Sequence, residues 1–215
     1  MQVAIVKYGA GNVHSVVHAL RRCGVEPVLT DDNEQIRRAD RVVFPGQGEA
    51  GNTMRSVRAQ GLDKLIPSLT QPVLGICIGQ QLMCEWSEES GGTPCIGIFS
   101  EARVQRFQPR SREDKIPHMG WNTIKLVAEN EKSEIVASTF KNSSLMSGMG
   151  EAPYFYFVHS YYVPVGSHTI ATCEYCGTPF SAAMRRDNFF ATQFHPEKSG
   201  AAGEQLLRNF LELAK

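Results

Sequence analysis

Five residues limit this chain more than any others: Gly75-Ile-Cys77-Ile-Gly79, set between the apolar run Val73-Leu-Gly-Ile76 and a segment of helical character. A strand that turns sharply into a helix crowds the atoms two residues either side of its tip, and glycine at both places removes the clash. Such a turn belongs to a parallel α/β sheet, where the end of a strand feeds a helix laid on one face. It lifts the Cys77 sulfur above the strand ends, at the positive end of the following helix. That position favours thiolate, the form that attacks a carbonyl carbon. The amide of Ile78 then lies where an oxyanion donor is needed. The plain alternative is a buried cysteine in a Gly-rich turn.

The rest of the first half supports such a sheet. Val3-Ala-Ile-Val6, residues 26–29 and Val42-Val-Phe44 read as short strands, separated by turn residues and helical patterns. Gly9-Ala-Gly11 reads as a turn, with Asn12 as N-cap of a helix that carries Val13, Val16, Val17 and Leu20 on one face. A helix is expected over 78–86. The second half changes character. Residues 104–107, 123–127, 154–163, 169–174, 180–184 and 189–194 read as strands, several joined closely enough for hairpins, before a final helix over 203–213. This order predicts one α/β domain over 1–215, with a mostly parallel central sheet, flanking helices and an antiparallel β extension.

Composition narrows the function. Lys plus Arg and Asp plus Glu both number 22, so the net charge gives no pull toward nucleic acid or an acidic membrane. No apolar run nears the ~18 residues that span a bilayer. The N-terminus moves straight into a strand pattern without the features of a secretory signal, which predicts a cytoplasmic location. The six cysteines, Cys23, Cys77, Cys84, Cys95, Cys173 and Cys176, are then expected as reduced thiols. No metal or cofactor is expected. Cys173-Glu-Tyr-Cys176 has no second pair, His14 and His18 lack the glutamate of a zinc-protease helix, and Tyr8-Gly-Ala-Gly lacks the third glycine of a dinucleotide fingerprint.

A cysteine nucleophile needs a base, and the base an orienting group. Phe194-His195-Pro196-Glu197-Lys198 supplies both after an apolar strand. In extended chain His195 and Glu197 point the same way, so Glu197 can hold the imidazole in one tautomer and stabilise its cation. A surface His-Pro-Glu turn is the alternative if the segment is taken alone. Pro45-Gly-Gln-Gly48 follows the third strand, beside the elbow. Its backbone could present the second oxyanion amide, from Gly46 or Gln47.

Taken together the chain resembles the class I, triad-type glutamine amidotransferases, α/β domains of flavodoxin-like fold. The resemblance runs from about Tyr8 to the final helix. It rests on Tyr8-Gly-Ala-Gly-Asn12, Pro117-His-Met-Gly-Trp-Asn122, Tyr156-Phe-Val-His-Ser-Tyr161 and Gln193-Phe-His-Pro-Glu-Lys198, in addition to the elbow. Pro-His-Met-Gly-Trp-Asn points to the glutaminase subunits of histidine biosynthesis. The resemblance implies that Cys77 forms a glutamyl thioester, that His195 shuttles protons and that Glu197 orients it. It implies substrate contacts from Gln81 and Glu89 at the amino-acid end and from His159, Ser160 and Tyr161 on the α-carboxylate side. It implies a heterodimer with a (β/α)₈-barrel cyclase, contacted by Asn12, Trp121 and Lys198, which uses the ammonia to make imidazole glycerol phosphate and aminoimidazole carboxamide ribotide. A paralogous glutaminase feeding another synthase, for example in surface-polysaccharide sugar amination, would keep the same triad. Lys7, Ile78 and Gln80 depart from the family's usual acidic residue, Leu and Met.

Overall fold

Strands that read as unbroken apolar runs need cover on both faces, and such strands form the middle of this sheet. The computed structural model describes residues 1–9, 13–46, 48–127 and 145–214 of the 215-residue chain. Its strands are β1 (Val3–Val6), β2 (Val28–Thr30), β3 (Arg41–Phe44), β4 (Val73–Ile76), β5 (Cys84–Ser87), β6 (Thr93–Pro94) and β7 (Phe99–Arg106) in the first half. Then follow β8 (His118–Thr123), β9 (Lys125–Leu126), β10 (Tyr154–His159), β11 (Tyr161–Tyr162), β12 (Thr169–Tyr175), β13 (Thr178–Arg186) and β14 (Phe189–Thr192). The helices are α1 (His14–Arg22), α2 (Asn33–Arg38), α3 (Ala50–Ala59), α4 (Leu62–Leu65), α5 (Ile78–Met83) and α6 (Gly200–Glu212).

The main sheet runs β2-β1-β3-β4-β14-β13-β12-β9. From β2 to β14 every pairing is parallel; β13, β12 and β9 continue it antiparallel. This is the expected architecture, a parallel α/β sheet with an antiparallel extension. Because side chains alternate along a strand, Val3 and Ile5 face one core, with Val16 and Leu20 of α1 and Leu206 and Phe210 of α6. Ala4 and Val6 face the other, with Ile36, Met54, Val57, Leu62 and Leu82. Two small sheets flank the main one: β10 with β8, and β11-β7-β5-β6. Among the described residues no helix is long and apolar enough to cross a membrane.

Three expectations change. The helix expected over 78–86 stops at Met83, and Cys84–Ser87 leaves it as a strand, with Cys84 opposite Phe99 and Trp86 opposite Arg103. The Arg103 guanidinium lies 4.6 Å over the Trp86 ring, so tertiary pairing overrides local helical pattern. The strand expected over 154–163 divides at Ser160, its halves pairing with β8 and with β7. Third, Pro117-His-Met-Gly-Trp-Asn122, read only as a motif, forms most of β8. The proposed N-cap Asn12 lies outside the described residues; α1 follows Val13, which makes no side-chain cap.

Candidate active site

Adjacent parallel strands β3, β4 and β14 end together, with Phe44 opposite Gly75 and Thr192 opposite Ile76. Their continuations therefore meet outside the carboxyl ends of the strands, where open α/β sheets bind ligands. Cys77 is the first residue beyond β4. Its amide donates to the Thr192 carbonyl at 2.7 Å, and its backbone sits at φ 53°, ψ −107°. A left-handed conformation in a residue with a side chain costs on the order of 1–3 kcal/mol and is characteristic of a nucleophile elbow.

The glycines around it are required by two separate contacts. A Cβ on Gly75 would lie 3.0 Å from the Gly79 carbonyl group and 2.8 Å from Met83 Sδ, within the turn itself. A Cβ on Gly79 would strike the Phe44 carbonyl oxygen, and one on Gly46 the Ile76 carbonyl oxygen and the Gly79 amide nitrogen. The turn after β3 thus packs backbone against backbone on the elbow, and Tyr8 Oη donates to the Pro45 carbonyl to hold it there. Ile78 begins α5 and lines the cavity in front of Cys77. Gln47 lies outside the described residues.

His195 and Glu197 meet by a route different from the extended chain expected. Pro196–Lys198 forms a 3₁₀ turn, and His195 Nδ1 donates to Glu197 Oε1 at 2.7 Å. The turn is held from several sides. His195 N donates to the Tyr156 carbonyl, Ser199 Oγ donates to the His195 carbonyl, and Phe194 stacks on Phe155 at 3.9 Å. A Cβ on Gly203 of α6 would collide with the Pro196 carbonyl oxygen, so the helix start presses on the turn. His195 is only 2% exposed, and its Nε2 is buried with no hydrogen-bond partner among the described residues. Burial alone would lower the His195 pKa, but Cys77 and Glu197 together outweigh it and push it up to about 10. The Cys77 sulfur also lies 3.9 Å from the Val158 carbonyl.

In front of the sulfur lies a cavity of about 290 Å³, lined by Gly48, Cys77, Ile78, Gln81, Glu89, Pro117 and Val158 to Tyr161. The residues expected to contact substrate, Gln81, Glu89, His159, Ser160 and Tyr161, all border it. A second hollow of about 270 Å³, bordered by Glu101, Arg103, Gln105 and His168, shares no lining residue with it.

Gln81 is held firmly. Its Nε2 donates both to the Tyr161 carbonyl and to Gln193 Oε1, each at 3.0 Å, which leaves its own carbonyl oxygen to meet a donor. His159 Nδ1 donates to the same Tyr161 carbonyl at 2.7 Å. That fixes His159 Nε2 as an acceptor, 3.0 Å from His118 Nδ1. His118 is stacked between Phe157 and Tyr175. Burial pushes His118 down to about 4 and His159 to about 3, so both are neutral. Glu89 Oε2 accepts the Ala50 amide at 2.7 Å, at the start of α3, and burial raises its pKa. Gln80 turns away from the cavity and donates to the Ser181 carbonyl.

Two residues expected at a partner surface lie on one face. Trp121 is 46% exposed and stacks on Tyr154, and Lys198 Nζ lies 6.0 Å over the Tyr156 ring. His118 and Gln193 are site residues to which sequence reasoning gave no role. The signal for Gln193 was a polar side chain directly following the apolar run Phe189–Thr192, next to the histidine.

Residues 4–214 match the family model for class-I glutamine amidotransferases. The chain is 54% identical over 213 residues to imidazole glycerol phosphate synthase subunit HisH of Bacteroides thetaiotaomicron, covering 99% of this chain and 100% of that one. It is 44% identical, with the same coverage, to the HisH subunit of Escherichia coli K12. Among solved structures it superposes on a glutamine amidotransferase from Thermotoga maritima with a TM-score of 0.62 at 14% identity, covering 99% of this chain and 96% of that one. The last likeness speaks to fold alone. The chain belongs to the class-I glutamine amidotransferase family, among its imidazole glycerol phosphate synthase HisH subunits.

Proposed function

We propose that the chain is the glutaminase subunit of imidazole glycerol phosphate synthase. It hydrolyses L-glutamine to glutamate and ammonia and passes the ammonia to a (β/α)₈ cyclase bound on the Trp121 and Lys198 face. The observation that carries this reading is a cysteine on a left-handed elbow at the mouth of a cavity, backed by a buried imidazole–carboxylate pair at 2.7 Å.

Glutamine enters with its side-chain amide toward Cys77. The sulfur attacks the amide carbon as a thiolate, its proton already held on His195, whose cation Glu197 stabilises. The Ile78 amide and the backbone at Gly46 and Gln47 receive the developing oxyanion. The imidazolium then protonates the leaving nitrogen, which departs as ammonia and leaves a thioester. Water, deprotonated by the neutral imidazole, attacks the thioester; glutamate leaves and the thiolate–imidazolium pair is restored. At the other end of the substrate, Gln81 Oε1 and Glu89 accept from the ammonium group, and the Ser160–Tyr161 segment faces the carboxylate.

The test is glutamate release and cyclised product measured together, with and without the cyclase. Cys77→Ala is expected to abolish glutamine-dependent turnover, by at least about 10³-fold, while added ammonium salt still supports the complex. Glutamine-dependent turnover within about tenfold of wild type would overturn the thioester role.

A further inference from the structure

Gln193 lies between the reacting sulfur and the residue that holds the substrate's far end. It follows β14, has no exposed surface, and is pinned by its amide donating to the Ala182 carbonyl at 2.8 Å. Its side-chain Oε1 accepts from Gln81 Nε2 at 3.0 Å, and its Nε2 donates to Cys77 Sγ at 3.7 Å, within reach for the larger sulfur atom. The assignment of the two ends follows from the network. The Tyr161 carbonyl can only accept, so Gln81 turns its NH₂ that way and meets the Gln193 carbonyl with its second hydrogen.

We infer that Gln193 is a further catalytic residue of the proposed glutaminase reaction: its amide hydrogen stabilises the Cys77 thiolate, and its carbonyl ties that contact to Gln81. In the thiol form the S–H points at the Val158 carbonyl and the sulfur accepts from Gln193. Once the proton has moved to His195, the Val158 oxygen faces a negative sulfur and repels it. The Gln193 N–H faces the same charge and strengthens, because hydrogen bonds to ionised groups are the strong ones. The titratable groups around the sulfur are His195 and Glu197 beyond β14, His159 on β10 and Glu89 across the cavity. Gln193 brings no charge of its own, so it biases this set without adding to it.

The inference rests on the proposed function for its meaning, but its test does not need glutamine turnover. The full chain is treated with iodoacetamide, and alkylation of Cys77 alone is followed by peptide mass spectrometry across pH. The variants are Gln193→Met, which removes both contacts at similar volume, and Gln193→Glu, which keeps an acceptor for Gln81. In Gln193→Met, Cys77 alkylation at neutral pH is expected to fall about tenfold, the scale of one lost hydrogen bond to an ionised group, and to converge on wild type at alkaline pH. In turnover, Gln193→Met is expected to raise KM for glutamine more than Gln193→Glu does, while kcat falls in both. A role confined to packing would lower the melting temperature and leave the alkylation profile in place. Profiles that superpose on wild type in folded variants would overturn the inference. If Gln193→Met does not fold, the smaller uncharged Gln193→Leu decides, because the carboxylate of Gln193→Glu would lower alkylation by its charge alone. Wild-type protein that alkylates as described but releases no glutamate with the cyclase would sink the glutaminase reading and leave the thiolate contact standing.

Discussion

The amide of Cys77 donates to the carbonyl of Thr192 at 2.7 Å, so the nucleophile's backbone is bonded to the strand that carries the base. Neither position can shift without the other.

Glu197→Gln is expected to be milder than loss of Cys77 or His195, since an amide still accepts from Nδ1 but stabilises the cation less. The same change has a signature in stability. Despite its burial, His195 is pushed up to about 10 from 6.5 by Cys77 and Glu197. A folded-state value above the unfolded one gives stability that is complete below pH 6.5 and lost as pH rises toward 10. The wild-type advantage over Glu197→Gln should therefore be largest near about pH 6 and shrink toward about pH 10 in denaturant titrations. An advantage that grows with pH would contradict the pairing.

His118 and His159 give the opposite slope. Burial pushes them down to about 4 and about 3; for His159 the Tyr161 carbonyl opposes this, and His118 and His195 add to it. Below pH 6.5 the unfolded chain takes up protons that the folded chain refuses, so stability falls with falling pH. Unfolding free energies measured at about pH 6.5, 5.5 and 4.5 should decline more steeply in wild type than in His159→Gln. Parallel slopes would count against neutral burial of His159.

Gly79→Ala sets a methyl group against the backbone oxygen of Phe44, which can yield only if β3 moves. Gly75→Ala meets the flexible Met83 Sδ and the edge of the Gly79 carbonyl group at 3.0 Å. We expect Gly79→Ala to cost about 1–3 kcal/mol or more, as over-packing does, and Gly75→Ala less. Urea titrations give the order directly, and an equal loss in both would show that β3 is not the constraint.

Trp121→Ala removes a half-exposed ring that stacks on the exposed Tyr154 and meets Tyr156 edge-on. Its stability should stay within about 0.5 kcal/mol of wild type, as for other surface changes. Cyclase-stimulated glutamate release is expected to fall about tenfold or more, the behaviour of an aromatic anchor at an interface. A large drop in melting temperature would return Trp121 to the core.

The elbow, the strand ends and the parallel sheet were legible because glycine spacing and apolar runs report local constraints directly. The departure of Cys84–Ser87 from the helix was not, because its cause is pairing with Phe99–Arg106, which no local pattern contains. The His195–Glu197 contact was anticipated from an extended geometry and is made by a 3₁₀ turn. The residue types carried the chemistry although the assumed backbone differed. Gln193 and His118 escaped for a third reason. Their partners Gln81, Cys77 and His159 come from other strands and helices, so the local sequence marks their positions but not their contacts.

The order of strands also dictates when the site exists during synthesis. β14 lies beside β4 in the sheet, yet Gln193 follows Cys77 by 116 positions. A nascent chain that has made β4 holds a cysteine with no base, no carboxylate and no Gln193, and its central sheet lacks the strand joining the parallel part to the antiparallel part. Closing so long a loop is among the slow steps of folding. The nucleophile is armed only once the chain through Glu197 has left the ribosome, so fragments that stop short of β14 carry the cysteine without the chemistry.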